Sequence, residues 1–363
     1  MLFNVPDKWS PLKSVVLGRG YSEKFYDSVK NNKIRSCLQR IANETEEDFL
    51  FFEEQLKSHG VEVFRPTLDA LDRIDNYINS EGRIQTNLKY KDGRIINEAT
   101  NNQNIYVSNT LIPKPPMTPR DSWAVVQDQL IQTCNDHPST VKLLHDLQNS
   151  NIINSFKEFQ TDFQGGGIFQ IGKDIYLGNM EMSDESLNKI TNKFLDFRWH
   201  RLSIDGHADG TYHPVKPGVI ISLHDIQTYS ETFPGWDVLY LPGQSWATIG
   251  PFLNLKQKNQ GKWWVPGEET NDEFTHFVET WLNNWVGYVE ETVFDVNCLA
   301  LDDRHVFVNN YNKDVFNFFK KHQIEPIIIP FRHRYFWDGG LHCITLELNR
   351  VGKIHDYFPD RNI

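Results

Sequence analysis

The sequence predicts an α/β fold, because apolar runs typical of buried strands alternate with helical patterns along the chain. The run at 14–18 is apolar and ends at a glycine, as a buried strand does. Four apolar side chains recur at helical spacing within 45–59, and Gly60 follows as a stop signal. Pairs of strands joined by tight turns recur further along. Together these observations favour a mixed architecture over an all-helical or all-strand one.

The remaining elements follow in chain order. The next strand is predicted at 61–64, and a region rich in Asn, Gly and Pro at 76–119 is expected to form long loops. In the second half of the chain we predict helices at 184–197, 271–286 and 314–322 and a strand at 326–330.

Four segments repeat one pattern, in which a polar turn is followed by a strand, a tight turn and a second strand. These segments begin near Pro119, Phe163, His207 and Cys298. Hairpins that alternate with helices indicate several ββαβ-like units, similar in pattern but not in sequence. At 363 residues the chain has the length of two or three ordinary domains or of one large repeated architecture.

The charge of the chain argues against nucleic acid as a partner. The formal net charge is −11, and Arg332-His333-Arg334 is the longest basic cluster. An acidic chain without a basic stripe is a poor binder of nucleic acid. Acidic pockets suit cationic substrates, although a charge balance of this kind usually serves solubility.

The four cysteines indicate neither a disulfide framework nor a metal site. They are Cys37, Cys134, Cys298 and Cys343, with no CxxC pair and no Cys/His grouping at zinc-site spacing. A reducing compartment is therefore expected. The N-terminus lacks a basic region followed by an apolar stretch, and no run of about 18 apolar residues occurs. We predict a cytoplasmic protein without a membrane span.

Cys343 is the first candidate for chemistry. It follows two glycines and a histidine in Gly339-Gly340-Leu341-His342-Cys343. Glycines permit a turn that presents a side chain at a loop tip, and His342 with the amides of the turn is expected to lower the thiol pKa. The alternative is a buried structural cysteine.

Three further segments carry polar candidates. His207 and Asp209 have the i, i+2 spacing that places two side chains on one face of a strand, where they could transfer a proton and bind a cation. Asp121 precedes a strand, and Gln164 precedes three glycines that imply a close backbone approach to a ligand or another strand. Taken one at a time, each segment also has a purely structural explanation. His207 and Asp209 could be a surface pair, Asp121 could form a turn, and the glycines could form a tight turn against another strand.

The combination of these motifs and their order along the chain resemble those of the arginine:glycine amidinotransferase group of the guanidino-group-modifying superfamily. The resemblance runs from Trp9 to Gly352 and includes Met117-Thr118-Pro119-Arg120-Asp121, the glycine-rich hairpin at 164–178, His207-Ala208-Asp209 and Gly339-Gly340-Leu341-His342-Cys343. It implies a five-bladed pseudo-symmetric α/β propeller built from ββαβ units, with 1–363 as a single domain. It also implies small-molecule substrates, an arginine-like donor and an amine acceptor, without metal or organic cofactor. Members of this family often dimerise, so a homodimer is an option by analogy.

The resemblance also implies roles for the candidate residues. Cys343 aligns with the nucleophile that attacks the guanidinium carbon, and His207 aligns with the general acid/base. Asp121 and Asp209 align with carboxylates that hold the guanidinium. Their charge disfavours the thiolate, so thiolate formation is expected to depend on bound cation.

Three departures from the family pattern bear on activity and substrate. Gln164 stands where the family has an acidic partner of the histidine, and Gly167 stands where Asp or Asn is common. Glu290 and Glu291 fall where the family has hydroxyls that contact the amino-acid end of arginine, and Ile226 replaces an arginine used for its carboxylate. The distal end of the ligand is therefore predicted to be cationic or amine-like, with two solvated glutamates as the alternative.

Three functions stay open at this point. One is amidino transfer, and the second is hydrolysis by the same chemistry, with water in place of the acceptor amine. The third is a weakened protein that binds guanidino or amine ligands, which Gln164 and Gly167 favour and the retention of Cys343, His207 and both aspartates opposes.

Overall fold

The computed structural model describes residues 3–70, 72–77, 88–91, 94–97, 112–158, 163–178, 183–204, 207–223, 228–241, 263–287 and 293–361. Strands and helices alternate through these residues, which confirms the predicted α/β class. None of the helices in this part of the chain combines the length and the apolar character needed to cross a bilayer.

The strands are short, with two to six residues each. In chain order they are β1 (Leu12–Leu17), β2 (Glu62–Phe64), β3 (Leu88–Lys91), β4 (Arg94–Asn97), β5 (Trp123–Val126), β6 (Gln129–Gln132), β7 (Lys157–Glu158), β8 (Ile168–Ile171), β9 (Asp174–Gly178), β10 (Arg198–Leu202), β11 (Tyr212–Lys216), β12 (Val219–Leu223), β13 (Asp237–Leu241), β14 (Leu299–Ala300), β15 (His305–Val308), β16 (Glu325–Ile328) and β17 (Thr345–Arg350).

The helices range from single turns to one long helix. In chain order they are α1 (Asn32–Ser58), α2 (Pro119–Ser122), α3 (Pro138–Asn149), α4 (Asp184–Thr191), α5 (Ala208–Thr211), α6 (Tyr229–Thr232), α7 (Asp272–Trp281), α8 (Val293–Val296), α9 (Lys313–Lys321) and α10 (Arg334–Trp337). Short 3₁₀ turns occur at Glu23–Tyr26, Ile74–Asn76 and Gly165–Gly167.

Five three-stranded sheets in the described residues share one topology. Each has an antiparallel pair, and a third strand then joins parallel to the second strand of that pair after a helical connection. The sheets are β5–β6–β7, β8–β9–β10, β11–β12–β13, β14–β15–β16 and β17–β1–β2. The last sheet joins the two ends of the chain, because β17 pairs with β1 in the register Leu17↔Thr345. These are the ββαβ units that the sequence pattern predicted.

Helix α1 is longer than predicted because both its cap and its apolar face begin earlier. The side chain of Asn31 accepts hydrogen bonds from the amides of Lys33 and Ile34, which satisfies two free donors at the helix start. Ile34, Leu38 and Ile41 extend the buried face of the helix toward its N-terminus, whereas the apolar spacing predicts that face only from Phe49 onward.

Two other predicted helix bounds are wrong, and one region predicted as loops contains strands. The helix predicted at 184–197 ends at Thr191, and the helix predicted at 271–286 ends at Trp281. Within the region predicted as loops, β3 and β4 form an antiparallel hairpin. The two helix errors share a physical reason, because apolar side chains in loops that pack against a core continue a helical pattern beyond the hydrogen-bonded helix.

The most extensive apolar cluster positions the segment before Cys343. It joins the buried face of α1 to α7 and includes Trp337, Leu341 and Ile344. Trp285 stacks on Trp337 with ring centroids 5.6 Å apart, and both rings are fully buried. The turn that carries Cys343 is therefore anchored in the core by Trp337 before it and by Leu341 and Ile344 within and after it.

Candidate functional site

Each of the five sheets presents polar side chains directly before the first strand of its hairpin. These side chains are Asp121 before β5, Gln164 before β8, His207 and Asp209 before β11, Asn297 before β14 and Cys343 before β17. Contacts among them bring all five segments to one place. The structure therefore unites every candidate from the sequence that lies in the described residues.

His207 and Asp209 do not lie on a strand, as the spacing predicted. His207 is the N-cap of helical turn α5, and Asp209 lies within that turn. The extended backbone at His207 directs its ring back over the turn, and His207 Nδ1 lies 3.9 Å from Asp209 Oδ1. The strand itself begins only at Tyr212. The two side chains still share a site, although for a different geometric reason.

The three glycines allow a close approach within the protein. A Cβ atom on Gly166 would lie 2.9 Å from Nδ1 of His207, which is closer than a carbon can be tolerated. The backbone of the 3₁₀ turn Gly165–Gly167 thus forms one wall of the His207 site. Gln164 precedes this turn, and its Oε1 contacts Nε2 of His207.

The imidazole of His207 has negative charge on its other side. Nδ1 lies 3.5 Å from Asp121 Oδ1 and 3.9 Å from Asp209 Oδ1. Gln164 contributes a dipole but no charge at Nε2. The carboxylates at Nδ1 can therefore stabilise an imidazolium that Gln164 only orients.

Cys343 is buried, with 8% of its surface exposed, and not at a loop tip as predicted. Burial and the charges of Asp209 and Asp121 raise the pKa of the Cys343 thiol well above its ordinary value. Cys343 Sγ lies 3.4 Å from Asp209 Oδ2. These surroundings favour the neutral thiol.

The prediction that His342 lowers the thiol pKa is wrong. Burial, together with the neighbouring Arg120, lowers the pKa of His342 well below its ordinary value, so the ring is neutral. Its Nδ1 donates to Asp209 Oδ2 over 2.8 Å. His342 thus orients a carboxylate and supplies no positive charge to the thiol.

Two buried carboxylate oxygens at the site receive no hydrogen bond from any described residue. They are Asp209 Oδ1 and Asp121 Oδ1. Asp209 is fully buried, and burial raises its pKa. Buried acceptors are nearly always satisfied, so two carboxylate oxygens that lie near His207 Nδ1 without a hydrogen bond indicate room for a donor-rich cation.

A buried ion cluster lies behind the site. Glu347 Oε2 accepts from Lys8 Nζ over 2.7 Å and from Arg120 over 3.0 Å, and its Oε1 accepts from Arg350 Nε over 2.8 Å. Arg120 Nε also donates to the carbonyls of His342 and Thr345, which flank Cys343. The cluster therefore ties the segment that carries Asp121 to the turn that carries Cys343.

The charges within this cluster are mutually dependent. Burial alone would raise the pKa of Glu347, but Lys8, Arg350 and Arg120 outweigh burial and hold it well below its ordinary value. Burial lowers the pKa of Lys8 to about 8, against the opposing attraction of Glu347. A single carboxylate thus compensates three buried cations.

Several residues that the sequence singled out cannot be placed. Glu290, Glu291 and Ile226 lie outside the described residues. Gly167 is described, and a Cβ atom there would meet no neighbouring atom within 4 Å.

Three residues near the site were not anticipated, namely Asn297, Arg120 and Asp338. Asn297 directly precedes the hairpin that the sequence pattern had placed at Cys298, so its position in the repeated unit was the available signal. Arg120 and Asp338 adjoin motifs already noted, but their neighbours in sequence do not reveal which way their side chains point.

Asp338 lies at the approach to Cys343. Its backbone is left-handed, with φ 52° and ψ 59°, a conformation that Asp tolerates better than most residues. The side chain is solvent-accessible but largely surrounded by protein, and this loss of hydration raises its pKa, as does the charge of Asp121. Lys114 and His207 act in the opposite direction.

Sequence relatives of the chain are amidinotransferases. It is 24% identical to an L-arginine:L-lysine amidinotransferase of Pseudomonas savastanoi pv. phaseolicola over 207 residues, which cover 55% of this chain and 48% of the relative. It is 22% identical to the mitochondrial glycine amidinotransferase of Xenopus tropicalis over 262 residues, which cover 69% of this chain and 50% of the relative. The chain thus spans about half the length of these curated relatives. No protein-family model matches it.

Solved structures of amidinotransferases share the fold. One is an amidinotransferase of the saxitoxin biosynthetic pathway from Microseira wollei, with TM-score 0.63, 16% identity and coverage of 98% of this chain and 99% of that one. Another is an inosamine-phosphate amidinotransferase from Streptomyces griseus, with TM-score 0.62, 15% identity and coverage of 98% and 99%. The predicted resemblance to amidinotransferases is confirmed.

Proposed function

We propose that this protein moves an amidino group from arginine, or a related guanidino compound, to an amine acceptor through an amidino-Cys343 intermediate. The observation that carries the proposal is the arrangement of a buried thiol 3.4 Å from the fully buried carboxylate of Asp209, beside His207 and Asp121. The amidinotransferase relatives support this class of reaction.

The charge of the site supports a cationic substrate. A planar guanidinium has several N–H donors, and Asp121 Oδ1 and Asp209 Oδ1 accept no hydrogen bond from the described part of the chain. Its positive charge would offset the two carboxylates that raise the pKa of the Cys343 thiol. Thiolate formation is thereby linked to substrate binding, and the free thiol is protected from side reactions.

The proposed chemistry has two covalent steps. As the guanidinium binds, His207 takes the proton of the Cys343 thiol, and the thiolate sulfur bonds to the guanidinium carbon. The carbon–nitrogen bond to the leaving amine breaks, and that nitrogen receives the proton from His207. The acceptor amine then loses a proton to His207 and attacks the amidino carbon. The carbon–sulfur bond breaks, Cys343 leaves as thiolate, and the proton on His207 returns to the sulfur, which restores the neutral thiol and the neutral imidazole.

The fold supports the same assignment at a coarser level. We propose that the five ββαβ sheets are the blades of a five-bladed α/β propeller forming one domain over 1–363. In such an arrangement the segments that precede the first strand of each hairpin would converge on the axis. A homodimer is proposed by analogy alone.

A product assay tests the function directly. The protein is incubated with arginine and with glycine, lysine or a diamine, and the products are identified by mass spectrometry. Ornithine together with a new guanidino compound is the expected result. Citrulline or released ammonia would instead indicate hydrolysis, and the absence of any turnover would contradict both reactions.

Replacing Gln164 with glutamate is expected to favour the protonated form of His207, because a carboxylate stabilises the imidazolium where an amide cannot. The sign follows from the charge, so the fraction of protonated imidazole at neutral pH increases. The measurement is the histidine titration by NMR together with the pH profile of kcat/KM, which should shift to higher pH. Gln164→Ala is the control, since it removes the contact without adding charge. An identical titration in the glutamate and alanine variants would contradict this role.

Asp338→Asn is expected to raise KM for arginine about two- to fivefold with little change in kcat. The variant removes one negative charge at the approach to the site, worth up to ~1 kcal/mol for an accessible group. Asn also tolerates left-handed backbone, so the turn should be preserved. Asp184→Asn is the matched control, because Asp184 is an exposed residue at the start of α4 that pairs with Arg201 of β10. Equal KM values in the two variants would remove Asp338 from substrate binding.

A further inference from the structure

We propose that Asn297 stabilises the thiolate of Cys343 and fixes the turn that carries it, an inference that rests on the proposed function. Asn297 is fully buried and directly follows helix α8. It is the contribution of the fifth sheet to the site, which otherwise receives its polar groups from the other four.

The carboxamide of Asn297 is saturated with partners. Its Oδ1 accepts from the amide of His342 over 3.0 Å and from the amide of Cys343 over 3.1 Å. Its Nδ2 donates to the carbonyl of Asp209 over 3.0 Å and to Cys343 Sγ over 2.9 Å. One side chain thus joins the nucleophile, its turn and the segment that carries Asp209.

These partners determine which way the carboxamide points. Backbone amides can only donate and a backbone carbonyl can only accept, so exchanging O and N would leave three of the four contacts repulsive. The N–H group is therefore directed at the sulfur. A donor in that position strengthens its hydrogen bond when the sulfur becomes negative.

The other side chains around the sulfur supply negative charge or no charge, so the thiolate depends on hydrogen-bond donors. Asp209 and Asp121 face the sulfur with negative charge, and His342 is neutral. Arg120 is bonded to carbonyls of the turn and not to the sulfur. Against burial and the two carboxylates, Asn297 and the backbone amide of Gly340 favour the thiolate.

The position of Asn297 is prearranged. Its backbone carbonyl accepts from Nδ2 of the buried Asn309 over 2.9 Å, and its amide donates to the carbonyl of Val293 over 2.8 Å. A Cβ atom on Gly340 would lie 2.7 Å from Asn297 Oδ1. Glycine at that position is thus needed for Asn297 to reach the turn.

The test is the rate at which iodoacetamide alkylates Cys343, followed on the Cys343 peptide by mass spectrometry from neutral to alkaline pH. Peptide resolution separates Cys343 from the other three cysteines. Asn297→Ala removes the donor, and Asn297→Asp keeps the shape but places an acceptor beside the sulfur. Circular dichroism and thermal unfolding confirm that each variant is folded, and the near-isosteric Asp variant covers the case in which Ala does not fold.

Both variants are expected to alkylate about three- to tenfold more slowly at neutral pH, with the rise in rate displaced to higher pH. The range reflects loss of one hydrogen bond to a charged group, partly offset by the greater intrinsic nucleophilicity of a more basic thiolate. Gln170→Ala is the matched control, because Gln170 is also a buried carboxamide, but it bonds to the amide of Gln127 and the carbonyl of Gly172 and not to the sulfur or to Asn297. Wild-type rates in folded Asn297 variants, or an equal slowing in Gln170→Ala, would overturn the proposal.

Alkylation is read without turnover, so the two proposals can fail separately. A thiolate that depends on Asn297 in a protein that transfers no amidino group would contradict only the proposed function. Full amidino transfer, together with an alkylation rate of Cys343 that does not depend on Asn297, would contradict only this inference.

Discussion

Replacing Cys343 with serine is expected to abolish both the amidino adduct and turnover, with a loss on the order of 10⁴-fold or more in kcat. A serine hydroxyl has a far higher pKa than a thiol, and it would sit in a site where burial, Asp209 and Asp121 already oppose ionisation. The measurement is the mass of the peptide that contains residue 343 after the protein is quenched during incubation with arginine. In the wild type this peptide should gain the mass of one amidino group.

Cys37→Ala is the matched control for this experiment. Cys37 is also buried, but it lies on α1 within the apolar cluster and away from the polar side chains of the site. It should keep the adduct and the turnover of the wild type. Substantial turnover in Cys343→Ser, or an adduct on another cysteine, would sink the proposal that Cys343 is the nucleophile.

Glu347→Gln is expected to lower the free energy of unfolding by about 3 to 5 kcal/mol, the usual cost of breaking a buried ion pair. The variant leaves Lys8, Arg120 and Arg350 buried without their shared carboxylate. Urea unfolding at neutral pH measures the loss. Glu47→Gln is the control, since Glu47 pairs with Arg332 at the surface, with 67% of the glutamate and 41% of the arginine side chain exposed, and it should cost less than ~1 kcal/mol.

The same variant makes a prediction about pH. The folded pKa of Glu347 lies well below its ordinary value of 4.5, so its stabilisation is complete above that value and is lost as the pH falls further. Below about pH 4.5 the unfolded chain binds a proton that the folded chain does not. The wild type should therefore lose stability on acidification more steeply than Glu347→Gln. Parallel pH profiles would show that Glu347 is not held ionised by the cluster.

The recurring hairpins show how far local pattern reaches. The turns near 119, 163, 207 and 298 predicted ββαβ units, and each proved to begin the first pair of strands in one sheet. The pattern could not reveal that β17 pairs with β1, because those strands lie at opposite ends of the chain. It also wrongly placed His207 and Asp209 on a strand, because a single helical turn is too short to show the periodic apolar pattern of a helix.

The sequence by itself determined the α/β class, the repeated hairpins and four of the polar side chains of the site, with Gln164 as the altered partner of His207. The class and the hairpins depend on residue types and on spacings within one unit, whereas the site residues follow from the order of motifs along the chain, which resembles that of amidinotransferases. Only the tertiary structure decided that Cys343 is buried, that His342 is neutral, and that Asn297 and Arg120 bond to its turn. Those properties depend on which groups surround a side chain after distant segments meet, and both burial and the net charge nearby are sums over such neighbours.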